Sequence, residues 1–202
     1  PVQQPRGGGA NRWALYQPVS FSIATSSTLG NKQDLKELCE EADKYGIKII
    51  CDIVFNHMGT TGNVDADGFP ELDPDVKNYE PEIYNNIDTM FHRVKSPGGI
   101  QSTTHSYSGL PDLNTSNEHI QKRALDLLKE CIDVGVDGFR FDAAKHIETP
   151  SDGNAASSFW DNTLEVAKTY YTEKTGGTLY AYGEILNSCE NGRPLSIYTD
   201  KY

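Results

Sequence analysis

The stretch KQDLKELCEEADKYGIKIICDIVFNH, residues 32–57, decides the fold. In its first half Leu35, Leu38, Cys39 and Ala42 recur at helical spacing on one face, and Gly46 follows as a helix stop. Its second half, IKIICDIVF, is a β-branched apolar run without clear alternation, which suits a parallel strand covered on both faces. The unit then returns twice. NEHIQKRALDLLKECIDV (117–134) reads as a helix opened by Asn117 and closed by Gly135, followed by the strand VDGFRF. Residues 155–172 read as a third helix, followed after Gly176 and Gly177 by the strand TLYAYGEIL.

Helix followed by buried strand, three times over, indicates an α/β fold, either a doubly wound sheet or an eight-stranded (β/α)8 TIM barrel. The pattern alone does not choose between them. Between His57 and Asn117 the unit does not repeat. A tract of about 60 residues rich in Gly, Asp, Asn, Thr and Pro stands there, far longer than ordinary βα loops, and reads as a small inserted subdomain. Its acidic cluster DADGFPELDPD (65–75) lacks EF-hand spacing and reads as a solvated loop.

With 202 residues, 37% of them hydrophobic, and 11 Tyr, the chain is long and aromatic enough to fold around a substantial core. A formal charge of −11 argues against nucleic-acid phosphates and anionic membranes as partners and favours a neutral or cationic ligand. No run approaches the roughly 20 apolar residues that span a bilayer, and PVQQPRGGG at the start has no signal-peptide core. With no initiating Met, the chain reads as a segment of a longer protein. Cys39, Cys51, Cys131 and Cys189 show no CxxC spacing and read as buried free thiols.

Polar residues gather where the apolar strands end: DIVFNH (52–57), FRFDAAKH (139–146) and YGEI (182–185). In α/β barrels that end carries the active site. Asp142 and Glu184 occupy comparable positions on successive strands, which brings two carboxyl groups to one cleft. A pair about 5 Å apart is what a retaining glycosidase uses, one attacking the anomeric carbon and the other protonating the leaving oxygen. Singly, each is more often a helix cap or a salt-bridge partner. Arg140, two residues before Asp142, points the same way along a strand, and its guanidinium would hold the carboxylate ionised or form an ordinary structural pair.

These strings resemble the conserved regions of the alpha-amylase family of glycoside hydrolases, in the family's order: DIVFNH, LPDLN around Asp112, GFRFDAAKH and GEI. The resemblance runs from PVQQP, similar to the end of the family's second barrel strand, to about residue 190. It implies a partial (β/α)8 barrel, from residues 1–57 (end of strand two to strand three) and 117–202 (helix three to the loop after strand five), with residues 58–116 as an inserted domain B. It implies Asp142 as nucleophile, Glu184 as general acid/base, and Arg140 as the charge partner of the nucleophile. His57, Lys145 and His146 would contact sugar, and Tyr16 and Trp13, in RWALYQPVSF, would stack on sugar faces. Asn56, Asp112 and the backbone carbonyl of His146 match the family's structural Ca²⁺ site, whose oxygen donors suit that ion. The implied activity is endo-hydrolysis of α-1,4-glucosidic bonds with retention, the partners are starch, glycogen or malto-oligosaccharides, and the location is extracellular.

The family's further His-Asp region is not found after Glu184, so the isolated chain is expected to be inactive. Rival readings are a transglycosylase or branching enzyme of the same family, and a non-catalytic glucan- or calcium-binding fragment. A sugar isomerase on an unrelated barrel is disfavoured, since such sites gather several carboxylate and His metal ligands.

Overall fold

The computed structural model describes residues 1–94, 103–106, 108–186, 194–199 and 201–202. The chain opens with an antiparallel pair, β1 (Gln3–Pro5) and β2 (Pro18–Ile23), joined through a short helix, α1 (Arg12–Leu15). Helix α2 (Lys32–Asp43) is started by a capping box in which Asn31 and Asp34 satisfy each other's backbone N–H groups. It leads into β3 (Ile50–Val54). The segment that follows holds a hairpin of β4 (Thr60–Val64) and β5 (Pro70–Leu72), then three one-turn helices, α3 (Val76–Tyr79), α4 (Pro81–Asn85) and α5 (Ile87–Met90).

Helix α6 (Glu118–Asp133) begins at the cap Asn117, whose side chain accepts from His119 N and Ile120 N, as the sequence predicts. It feeds β6 (Gly138–Asp142). The third helix starts later than the periodicity suggests. Residues 153–155 form a separate 3₁₀ turn, Asp161–Glu165 form a wide π turn, and α7 (Val166–Thr175) ends on Gly176 in the left-handed conformation (φ 72°). Strand β7 (Tyr180–Gly183) and a terminal turn of helix, α8 (Ser196–Thr199), follow.

Strands β3, β6 and β7 pair in parallel in that order, with Asp52, Arg140 and Tyr182 in register across all three. Successive parallel strands separated by helices are the repeating unit of the expected barrel. β1 adjoins β3 from the other side: Val2 N–H donates to Asp52 O at 3.3 Å, and the buried Gln3 amide donates to Val54 O at 2.8 Å.

The expectation of strands covered on both faces holds for one face only. On the helix side Ile53, Phe55, Phe139 and Phe141 are buried, with Phe55 and Phe141 stacked and Phe141 edge-on to Trp160. The opposite face carries Ile50, Asp52, Arg140, Asp142, Tyr180 and Tyr182, and it is open enough that Ile50 and Tyr182 are exposed. Leu38, placed on the apolar face of α2, is also exposed, while Cys39 and Ala42 carry that helix's contact with the core. Cys39, Cys51 and Cys131 are buried free thiols, and Cys189 lies outside the described residues. No helix among the described residues is long and apolar enough to cross a membrane.

One apolar cluster runs without a break from the strands into the segment after β3, taking in Phe69, Leu72, Val76, Ile83, Met90, Phe91 and Leu113. The segment returns to the strand end through antiparallel bridges, His57 opposite Asp112 and Phe91 opposite Leu113. A second anchor is Glu80, which is buried. It accepts from Phe21 N at 2.7 Å and is clasped by the Arg123 guanidinium of α6, at 2.9 Å and 2.7 Å to its two oxygens.

Candidate active site and cation site

Register and pleat explain why four charged side chains meet at the strand ends. Asp52 and Arg140 are cross-strand partners, Asp142 follows Arg140 on the same face, and Glu184 continues β7 beyond Gly183. Arg140 is the hub. Its Nη1 lies 2.6 Å from Asp52 Oδ1 and 3.1 Å from Asp142 Oδ1, and its Nη2 lies 2.9 Å from Glu184 Oε1. Glu184 Oε2 accepts from Ala143 N at 3.2 Å, and Glu184 N donates to Phe141 O at 2.8 Å. This close crossing requires Gly183, since a Cβ there would sit 2.6 Å from the Ala144 Cβ. Ala143, directly after Asp142, is held left-handed at φ 49°, an unfavourable conformation for a residue with a Cβ.

Burial, reinforced by repulsion from Glu184, pushes the Asp142 carboxyl up to about 6 against the opposing pull of Arg140. The sequence-based expectation that Arg140 would simply hold Asp142 ionised is therefore modified. One guanidinium is shared among three carboxylates, so none receives its full compensation. Arg140 itself stays charged: burial opposes its charge, but Asp52, Glu184 and Asp142 outweigh it.

Tyr16 forms one wall of the cleft. Its hydroxyl donates to Asp52 Oδ2 at 2.7 Å, burial and Asp52 raise it to about 12, and its ring lies 6.0 Å from the Arg140 guanidinium carbon. Trp13 is 67% exposed, with the Arg12 guanidinium 4.9 Å from its ring centroid on one face. His57 is turned inward. Its Nε2 lies 2.9 Å from Tyr16 O and its Nδ1 3.5 Å from the Asn56 amide nitrogen, and burial drives its pKa down to about 4, so it is neutral. Lys145 and His146, in the short turn Ala144–His146, are buried. Lys145 Nζ donates to Leu186 O.

Below the cleft, the bridge between His57 and Asp112 brings Asn56 beside Asp112, with Leu113 N donating to Asn56 O at 2.9 Å. Asp112 is 1% exposed. Its Oδ2 lies 3.0 Å from His92 Nδ1 and the Asn56 side chain lies beside it, but among the described residues its Oδ1 has no aligned hydrogen-bond partner. A buried carboxylate oxygen without a donor is costly, and a cation is one way to satisfy it. No three His, Cys, Asp or Glu side chains converge on a metal position among the described residues. An ion here would draw instead on one carboxylate, the Asn56 amide oxygen and backbone carbonyls, an oxygen set that suits Ca²⁺.

Residues 23–192 match the family described as "Alpha amylase, catalytic domain". The chain belongs to the alpha-amylase family. It is 38% identical over 193 residues to an alpha-amylase of Clostridium acetobutylicum, covering 92% of this chain and 24% of that protein, so it spans about a quarter of the curated relative. Among solved structures, alpha-amylase I of Eisenia fetida matches with a TM-score of 0.67 at 24% identity, over 98% of this chain and 41% of that one. The alpha-amylase of Geobacillus thermoleovorans, solved in complex with acarbose, matches with a TM-score of 0.66 at 23% identity, over 93% of this chain and 36% of that one. That likeness shows the fold, the (β/α)8 barrel of alpha-amylases, to which this chain contributes part. The doubly wound alternative is set aside.

Within this alpha-amylase barrel, sequence reasoning missed two polar residues. His92 lies between Asp112 and Glu148, with Nε2 3.0 Å from Glu148 Oε1. Glu148 is 1% exposed, and its other oxygen takes the Thr115 hydroxyl. The available signal was the string HIETP (146–150), a carboxylate directly after buried Ile147 and two residues from His146.

Proposed function

We propose that the protein is an endo-acting glycoside hydrolase that cleaves α-1,4-glucosidic bonds of starch, glycogen or malto-oligosaccharides with retention. The observation that carries the reading is the bridging of Asp142 and Glu184 by one guanidinium at the open strand ends. Asp142 attacks the anomeric carbon while Glu184 gives its proton to the departing glycosidic oxygen, leaving a glycosyl ester on Asp142. Glu184, now a base, takes a proton from water, which attacks the same carbon and releases Asp142. Tyr16 and Trp13 offer flat apolar faces to the C–H faces of glucose. His57, Lys145 and His146 shape the site around the reacting sugar.

Asn56, Asp112 and the His146 carbonyl hold a structural Ca²⁺, and the orphaned Asp112 Oδ1 supports this assignment. When bound, the ion supplies charge compensation that pins residues 58–116, acting as domain B, to the barrel portions 1–57 and 117–202. Extracellular action follows from the same family reading. The test uses the natural full-length protein on soluble starch, comparing viscosity loss with reducing-end release and following product anomers by NMR. Rapid viscosity loss with α-anomers formed first is expected, and initial β-anomers or release from chain ends alone would refute the proposal.

A further inference from the structure

His92 grips Asp112 twice. Its backbone N–H donates to Asp112 O at 2.9 Å and its Nδ1 meets Asp112 Oδ2 at 3.0 Å, while the neighbouring pair Phe91 and Leu113 completes the antiparallel bridge. From the far side of the ring, Nε2 faces Glu148 at 3.0 Å, and Glu148 lies two residues after His146. The imidazole is therefore a strut between two chain segments that each bring a proposed cation donor. It is not a ligand itself, because its two nitrogens point in opposite directions at carboxylates already in contact. A purely structural pairing would be expected to satisfy both oxygens of a fully buried carboxylate, yet among the described residues Oδ1 has no aligned donor, with only the Asn56 side chain beside the carboxylate.

We infer that His92 is a positioning residue for a cation at Asp112: it fixes the Asp112 carboxylate through Oδ2 so that Oδ1 faces the ion, and through Glu148 it holds the chain after His146 at the same place. The inference rests on reading Asn56, Asp112 and His146 as a calcium site. Groups that orient a ligating side chain from behind typically change metal affinity about 10- to 100-fold when removed, because the ligand must then be ordered by the ion itself.

The experiment measures Ca²⁺ affinity by chelator competition in the full-length protein and in its His92→Ala, His92→Gln and Glu148→Gln variants, with the melting temperature of each metal-free form taken alongside. Weakening of about 10- to 100-fold in His92→Ala and Glu148→Gln is expected, with part of it recovered in His92→Gln, whose amide can still donate to Asp112. If His92→Ala does not fold, Glu148→Gln carries the same comparison, since it keeps the shape and removes only the carboxylate. Lower metal-free melting temperatures with unchanged Ca²⁺ affinity would overturn the inference and leave the calcium site standing. A wild-type protein that binds no Ca²⁺ would overturn the calcium reading, and the inference with it.

Discussion

At the strand ends Arg140 stands between Asp142 and Glu184, with Asp52 behind it. Where residues 91–92 meet 112–113, His92 stands between Asp112 and Glu148. Each cluster sets carboxylates around one nitrogen base, and their surroundings differ. The first is partly open and its base is permanently charged, so the protein itself supplies a cation and leaves the carboxylates reachable. The second is dry. Burial lowers His92 to about 4 and raises Asp112 well above the ordinary carboxylate range, so neither group readily carries charge without help from outside. A balanced and accessible cluster suits chemistry, whereas a buried one short of a cation suits a structural ion.

The largest effect that would break this comparison is on rate. Asp142→Asn and Glu184→Gln in the full-length protein should each lower starch hydrolysis by at least about 10²–10⁴-fold, with circular dichroism unchanged. Loss of the Asp112 pair should instead act on stability, so an Asp112→Asn variant as inactive as Asp142→Asn but equally stable would erase the distinction.

Next in size is the hub. Arg140→Met leaves three carboxylates without their shared cation and should cost about 2–3 kcal/mol in urea unfolding, less than for a fully dry pair because the cleft admits water. Arg140→Lys should recover little of it, since one ammonium cannot reproduce the planar fork that reaches all three partners.

Chelation probes the buried cluster. Removing Ca²⁺ should lower the melting temperature in proportion to a stabilisation of about 2.7 kcal/mol at a hundredfold excess over Kd. Asp112→Asn should abolish that response and Asp142→Asn should leave it intact.

The smallest effect is a pH signature. Asp142 binds its proton more tightly in the folded protein than in the unfolded chain, so wild-type stability falls as pH rises from the usual carboxylate range through about 6. Asp142→Asn removes that loss. Its melting temperature should exceed that of wild type by a few degrees above pH 6, and the two should converge near pH 4.

Much of this arrangement is legible in the sequence, and the unread part has a common cause. Local signals served well: Asn117 caps α6, Gly176 ends α7, and the alternation of Arg140 with Asp142 predicts their common face. Periodicity misjudged Leu38 and the covering of β3, because which faces become buried depends on what packs against them. Pairings across long separations were invisible. Glu80 with Arg123, 43 residues apart, and His92 with Glu148 meet only after the segment beyond β3 has folded back. The loop DADGFPELDPD was read as solvated, yet Arg93 pairs with Asp65 and Asp67 and covers the Phe69 ring. Charge count alone gave no sign of that partner.

The central claim is that Asp142, rather than any other carboxylate of the Arg140 cluster, forms the bond to sugar. It is tested most directly by trapping the glycosyl–enzyme of the full-length protein with a fluorinated glycosyl fluoride and mapping the adduct by peptide mass spectrometry. The account predicts one sugar esterified to Asp142 and none in Asp142→Asn. An adduct on Glu184 or Asp52, or turnover with no trapped ester and inverted product, would contradict it.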